Sequence, residues 1–180
     1  MSYLGTQPSN VTKNTGIYTP NEILRLTKDG NWGGSFELIE ENIISSDVSS
    51  VNFTNIMGDR YDVHALEIRG LETNGGGSFL VQIRVSTDGG SSYISTTSYQ
   101  NAQFVLASAG STSELRSNTD TGINMGYCND TEQNSTIAYF YDLPNADKYS
   151  WSSFMSMKQG LDCNVGGGMY NAVATVNAIQ

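Results

Sequence analysis

The chain has 180 residues, with 18 Asp and Glu against 9 Lys and Arg, for a net charge of −9. That balance argues against a phosphate-neutralising surface, so nucleic acid is not an expected partner. Two cysteines and one histidine make neither a disulfide framework nor a zinc site. Charged residues are only 15% of the chain and glycines number 19, a composition suited to turns and to dense packing beside identical subunits.

Residues 1–15 are polar, contain Pro8 and lack apolar periodicity, so they read as an extended arm. Met1 to Asn10 has no basic region followed by an apolar run and is not read as a signal peptide. No stretch approaches the roughly 18 consecutive apolar residues of a membrane helix, and membrane insertion is not expected. The sequons at Asn10, Asn52, Asn129 and Asn134 are read as chance products of an Asn- and Thr-rich chain.

GIYTPNEILRLTKDGNWGG follows, residues 16–34. Thr19, Pro20 and Glu22 stand where a helix cap, its first position and its third would lie, a capping-box pattern. Ile23, Leu24 and Leu26 give about two turns of apolar face, and Asp29-Gly30 is a stop signal. Trp32 reads as an anchor for the helix or as a docking residue for a neighbouring protein.

From Ser35 the texture becomes β. Residues 36–44 are strand-like, and Val51 with Phe53 marks a second short strand. Tyr61 to Arg69 is a third, placing His64 with Leu66 and Ile68 on one apolar face, where a hydrogen-bonded core histidine is expected. Gly75-Gly76-Gly77 is a turn, because neither GK[ST] nor a helix follows. The organising strand is FLVQIRVSTDGGSSY, Phe79 to Tyr93. It alternates Phe79, Val81, Ile83 and Val85 with more polar neighbours, then reaches the tight-turn signal Asp88-Gly89-Gly90. A return strand is expected from Ser92 to Tyr99, and another strand at Phe104 to Leu106.

Ser108 to Gly122 is nearly devoid of apolar residues and reads as a long loop. Asn124 to Cys128 pairs briefly. Ser135 to Leu143 is a strong strand with Ile137, Tyr139 and Tyr141 opposite Ala138 and Phe140. Pro144 to Asp147 is a turn. Tyr149 to Lys158 sets Trp151 and Met155 against Phe154. Gly166 to Gly168 reads as a glycine turn, and Met169 to Ile179 as the final strand. Cys128 and Cys163 are read as free thiols, with a bridge between them left open.

Eight to ten short strands with regular turn signals specify an all-β fold. The expected form is a jelly-roll-like or Greek-key antiparallel β-sandwich with an extended N-terminal arm and one short helix. The expected division is 1–34, arm and docking segment, and 35–180, β-sandwich. No catalytic constellation stands out. A Ser-His-Asp hydrolase would have to use His64, and no GxSxG elbow exists. Glu37, Glu40 and Glu41 read as a solvated strand edge. Asp120, Asp130 and Glu132 lack calcium-loop spacing. No enzyme activity, cofactor or metal is expected. Ser86 to Tyr93 resembles an Asp-box, in which the Asp88 carboxylate accepts turn N–H groups while Tyr93 packs beneath. Ten tyrosines leave room for an aromatic platform for sugars or protein neighbours.

Four segments together resemble virion structural proteins of tailed phages, of the tail fibre type common in marine and cyanobacterial phages. They are GTQPSN with GIYTPNEILRLTKDGNWGG, GGSFELIEENIISSDVSSVNFTNI, FLVQIRVSTDGGSSY and the closing AVATVNAIQ. The resemblance implies a non-enzymatic virion component, assembled in the host cytoplasm. It would be fastened to other virion proteins through Ile17, Tyr18, Ile23, Leu24, Leu26 and Trp32. It further implies a homo-oligomer, typically a trimer, and a host surface glycan as a further partner. A capsid decoration (head fibre) protein and a stand-alone carbohydrate-binding module are the alternatives.

Overall fold

The computed structural model describes residues 19–28, 36–56, 58, 60–160 and 162–180; within its helix the side chains of Ile23 and of residues 26–28 are outside that description. The chain divides into two units, Met1–Leu38 and Ile39–Gln180.

In the first unit, helix α1 is Pro20–Lys28. Its start is the capping box read from the sequence. Thr19 N and Oγ1 donate to Glu22 Oε2 at 2.7 and 2.8 Å, and Glu22 N donates back to Thr19 Oγ1 at 3.3 Å. Those bonds draw the Glu22 carboxyl below its ordinary pKa. Proline at the first helical position gives up an N–H that had no helical partner anyway.

The second unit is an all-β antiparallel sandwich. Its strands are β1 Val63–Leu71, β2 Phe79–Ile83, β3 Val85–Ser86, β4 Tyr99–Ala107, β5 Thr112–Asp120, β6 Ile123–Cys128, β7 Asn134–Tyr141, β8 Tyr149–Lys158, β9 Asp162–Val173 and β10 Ala178–Ile179. One layer is a six-stranded sheet in the order β1-β7-β8-β9-β4-β5. The other is built on the run 79–86, with β6 paired to β2 and β10 paired to β3. Arg84, between β2 and β3, exchanges both backbone hydrogen bonds with Gln180, and Phe53 pairs with Ile179 beyond. The chain changes layer between β1 and β2, β3 and β4, β5 and β6, β6 and β7, and β9 and β10, the crossing pattern of a Greek-key sandwich.

The core lies between the layers. Ala138, Phe140, Phe154, Tyr99 and Tyr170 come from the large sheet, and Val81, Ile83, Val85, Ile123, Met125 and Ile179 from the small one. Tyr99 is wholly buried and ties the layers by its hydroxyl, which accepts Val85 N–H at 3.0 Å and donates to Ile94 O at 2.9 Å. Burial pushes its pKa up to about 12.

Several sequence expectations change. Residues 36–50 form no strand, since a strand needs a ladder to take its backbone hydrogen bonds; Phe53 makes a single bridge. Residues 92–98 form a loop instead of a return strand, held to the organising strand by Ile94 N–H donating to Val85 O at 2.9 Å. The polar stretch read as a long loop is edge strand β5, which pairs with β4 from Leu106↔Thr112 to Tyr99↔Asp120. Gly166-Gly167-Gly168 is the middle of β9, between β4 and β8. The final strand expected from Met169 to Ile179 is divided between the end of β9 and β10, because the chain changes layer between them.

The β9 glycines are required by close approach. A Cβ at Gly166 would lie 2.4 Å from Ala102 O, one at Gly167 2.5 Å from Ser152 O, and one at Gly168 2.7 Å from Asn101 Oδ1. Gly76, by contrast, has nothing within 4 Å of its added Cβ. Gly166→Ala is therefore expected to destabilise by about 1–3 kcal/mol through forced strand displacement. Gly76→Ala should stay within about 0.5 kcal/mol. Urea unfolding of the two variants checks this, and equal stabilities would contradict the close packing of β9.

Candidate functional site

Of the residues expected to dock, Ile17, Tyr18 and Trp32 lie outside the described residues. Ile23 and Leu26 lie on α1, but their side chains fall outside the description. Leu24 is exposed on α1.

The Asp88 turn is a closed local structure. Asp88 Oδ1 accepts Ser86 Oγ–H at 2.7 Å and Ser92 N–H at 2.9 Å, and Oδ2 accepts Ser92 Oγ–H at 2.6 Å. These bonds, the Ser92 hydroxyl first, pull the Asp88 pKa down to about 2. Gly89 and Gly90 have φ of 72° and 84°, a region that L side chains enter only at a cost. Gly89 N–H donates to Asn177 Oδ1 at 2.8 Å, fastening the turn to the C-terminal segment. Both oxygens of the carboxylate are thus engaged by the loop itself, and the turn is architectural.

A small cleft of about 160 Å³ lies beside β4 and β5, lined by Leu80, Asn101, Gln103, Asp120, Asn124 and Tyr127 among others. It is below the roughly 300–1,000 Å³ of ordinary small-molecule sites. Asp120, Asn101 and Asn124 serve one another: Asp120 Oδ2 accepts Asn101 Nδ2–H at 2.6 Å and Asn124 Nδ2–H at 2.9 Å, and Asn124 Oδ1 accepts Gln82 Nε2–H at 2.9 Å. Gln103 Oε1 is buried without a hydrogen-bond partner among the described residues. The network pins β6 to β4. Among the described residues, no three of His, Cys, Asp and Glu gather closely enough to hold a metal. Glu132 is committed to Lys158 at 2.8 Å. Cys128 is a buried free thiol, and Cys163 is a half-buried one.

The most unusual surface is the outer face of the six-stranded sheet. Register sets Glu67, Ile137, Met155, Val165, Phe104 and Glu114 in one row across all six strands. The four apolar members are 37–48% exposed. One residue along, the inward row is Ile68, Thr136, Ser156, Asn164, Val105 and Ser113. Thr136, Ser156 and Asn164 are buried. On the middle strands the usual alternation is inverted at this level: polar residues point in, apolar residues point out.

Part of the inward polar row is held by hydrogen bonds and a close backbone, while Asn164 Oδ1 is buried without a hydrogen-bond partner among the described residues. Asn134 Nδ2 donates to Ser156 Oγ at 2.7 Å and to Tyr127 O at 3.0 Å, and Thr136 Oγ1 donates to Asn134 Oδ1 at 2.7 Å. Gly126 of β6 sits so near that an added Cβ would lie 2.7 Å from Ser156 Oγ. There is room for small polar side chains and none for a Met or Phe.

The outer apolar row continues on both sides. Met157, Cys163 and Leu106 align next to it, and Tyr141 and Trp151 align toward the other end. Between lies the row Tyr139, Ser153, Gly167 and Ala102, large on β7 and low over β8, β9 and β4. Outward positions of β7, β8, β9 and β4 carry no charged residue. The charges on this face sit on the edge strands, as the pairs Glu67–Arg69 at 2.7 Å and Glu114–Arg116 at 2.9 Å. Phe104, Ile137 and Met155 were placed on strands by the sequence, but neither they nor Val165 were assigned to a surface. The available signal was a pair of alternating strands whose apolar set lacked any charge.

Compared with known proteins, the chain matches no family model, no curated protein and no solved structure.

His64 is buried on the inner face, as its alternation required, and its Nε2–H donates to Ile56 O at 2.6 Å. Burial lowers its pKa from the ordinary 6.5. A base whose folded pKa is depressed binds its proton more readily when unfolded. Its contribution is therefore complete above pH 6.5 and lost as pH falls from there toward the folded value. As the chain's one histidine, it should dominate the fall in Tm between about pH 7.5 and 5.5, and His64→Gln should flatten that fall. Calorimetry at the two pH values checks this, and identical slopes for both proteins would contradict it.

Proposed function

We propose that this chain is a non-enzymatic structural subunit of a larger particle, with the outer sheet face as its assembly surface. The observation that carries this reading is the inverted row: a sheet that hides Thr136, Ser156 and Asn164 while presenting Ile137, Met155, Val165 and Phe104. Exposed apolar area on this scale marks an interaction surface in soluble proteins. An apolar face with no charge over its four central strands suits protein packing better than the recognition of a sugar, which needs convergent polar groups.

The particle we propose is a phage virion, and the component a tail fibre or adhesion protein, on the strength of the sequence resemblance. Residues 1–34 are then the segment that fastens the subunit to its neighbours, and the self-capped helix α1 supplies one preformed element of that segment. The rigid β unit is the building block.

Immunogold electron microscopy tests the reading. Antibody raised against the purified chain should label particles from the source that encodes it, at the tail. Label on the head would replace the tail assignment with the decoration protein. Particles without label, beside abundant protein in the producing cell, would overturn the reading.

A further inference from the structure

We infer that the outer face of the six-stranded sheet receives a second copy of this chain, the two sheets stacked face to face about a two-fold axis. The inference rests on the assembly reading above and names the partner for that same face.

Area is the first argument. About nine large side chains stand on the face, between 37% exposed for Ile137 and 51% for Val63. The aromatic members have roughly 150–250 Å² each to bury and the aliphatic ones less. At somewhat under half exposed, nine such residues come to roughly several hundred Å², the order of the ~800 Å² per partner of a stable protein pair.

Charge is the second. The chain carries −9, yet this face is neutral: two acids and two bases, held as Glu67–Arg69 on β1 and Glu114–Arg116 on β5. A copy approaching face-on meets no like charge over the four central strands. At each rim it meets both signs. The surplus acid that keeps the chain apart from itself elsewhere has been kept off this surface.

Shape is the third. The row Ile137, Met155, Val165 and Phe104 is a ridge about 14 Å long, from three strand spacings. Beside it, Ser153, Gly167 and Ala102 form a trough over β8, β9 and β4, closed at the β7 end by Tyr139. A ridge flanked by a parallel trough is self-complementary under a two-fold rotation, the Met155, Val165 and Phe104 part of each ridge seating in the other copy's trough. Stacked sheets pack about 10 Å apart at an angle near −30°. A three-fold ring, which the resemblance implies, needs two different complementary patches on each subunit; this sheet offers one continuous patch. Edge pairing is disfavoured because edge strand β5 carries Glu114 and Arg116 and both edge ladders are interrupted by register shifts.

Sedimentation velocity of the full chain, from submicromolar to near-millimolar concentration, tests the inference. Wild type should sediment as a pair that dissociates on dilution. Val165→Lys and Met155→Lys place an unpaired charge in the centre of each face and should raise the dissociation constant about a hundredfold or more. Ser95→Lys, at an exposed loop position off the face, should leave it unchanged. Both face residues are about half exposed, so a lysine reaches water in the monomer, and unchanged circular dichroism confirms the fold. Cys163, between Met157 and Leu106 on this face, supplies an independent readout. Its alkylation should be slow in the wild-type pair and fast in Val165→Lys. A monomer at every concentration, a trimer, or a pair indifferent to both face substitutions would overturn the inference. Particles that carry a monomeric chain would leave the assembly reading standing without this partner; a pair in solution absent from particles would do the reverse.

Discussion

A β-sheet has two faces, and the second layer of this sandwich covers one face of the six-stranded sheet. The strands β2, β3, β6 and β10 bury the side of Phe140, Phe154 and Tyr99. Nothing among the described residues brings the exposure of the opposite apolar row below 37%. Ordinarily the uncovered face is polar and the arrangement ends there. Here the covered side holds a partly hydrogen-bonded polar row and the uncovered side holds its apolar neighbours. A protein that remained alone in water would gain from the reverse assignment, since apolar burial stabilises by about 25 cal/mol per Å². The inverted pattern makes physical sense when both faces end up covered.

Several local devices keep that outer face flat and rigid. Gly166, Gly167 and Gly168 let β4 and β8 close on β9 at distances no Cβ permits. Gly167 also leaves the trough beside the apolar ridge. On the inner side, the Tyr99 hydroxyl locks Val85 to Ile94, and the Asp88 carboxylate closes the loop that follows. The carboxylate network of Asp120, Asn101 and Asn124 joins β4 to β6. Apart from Gly167, none of these groups lies on the outer face. They position the sheet that carries it.

Much of this was legible in the sequence, and the misses share a cause. The capping box at Thr19 and Glu22, the alternation around His64, and the strand pattern at Ile137 to Tyr141 are local signals, and each appears in the structure as read. The Asp88 loop was recognised by its residue types, although the strand expected after it is absent. Strand β5 was missed because an edge strand can be polar on one face and thinly apolar on the other, as Leu115 among Ser, Glu, Arg and Thr shows. The glycines of β9 were read as a turn because glycine announces close backbone approach as readily as it announces a bend. Deepest of all, alternation in Tyr149 to Lys158 separates Trp151, Met155 and Met157 from Ser150, Ser152 and Ser156 without saying which set points inward. Hydropathy alone would bury the methionines. The close passage of Gly126 over Ser156 and the burial of Phe154 beside the serines decide for that set.

The direct measurement is hydroxyl-radical footprinting of the full chain at high and at low concentration, read by mass spectrometry at Trp151, Met155, Met157 and Phe104. If the outer face is covered in the assembled state, oxidation of these four should drop sharply at high concentration, while the half-buried loop residue Tyr93 keeps a constant rate. Equal oxidation of the row at both concentrations would mean that the face stays in water, and the account of the inverted sheet would fail.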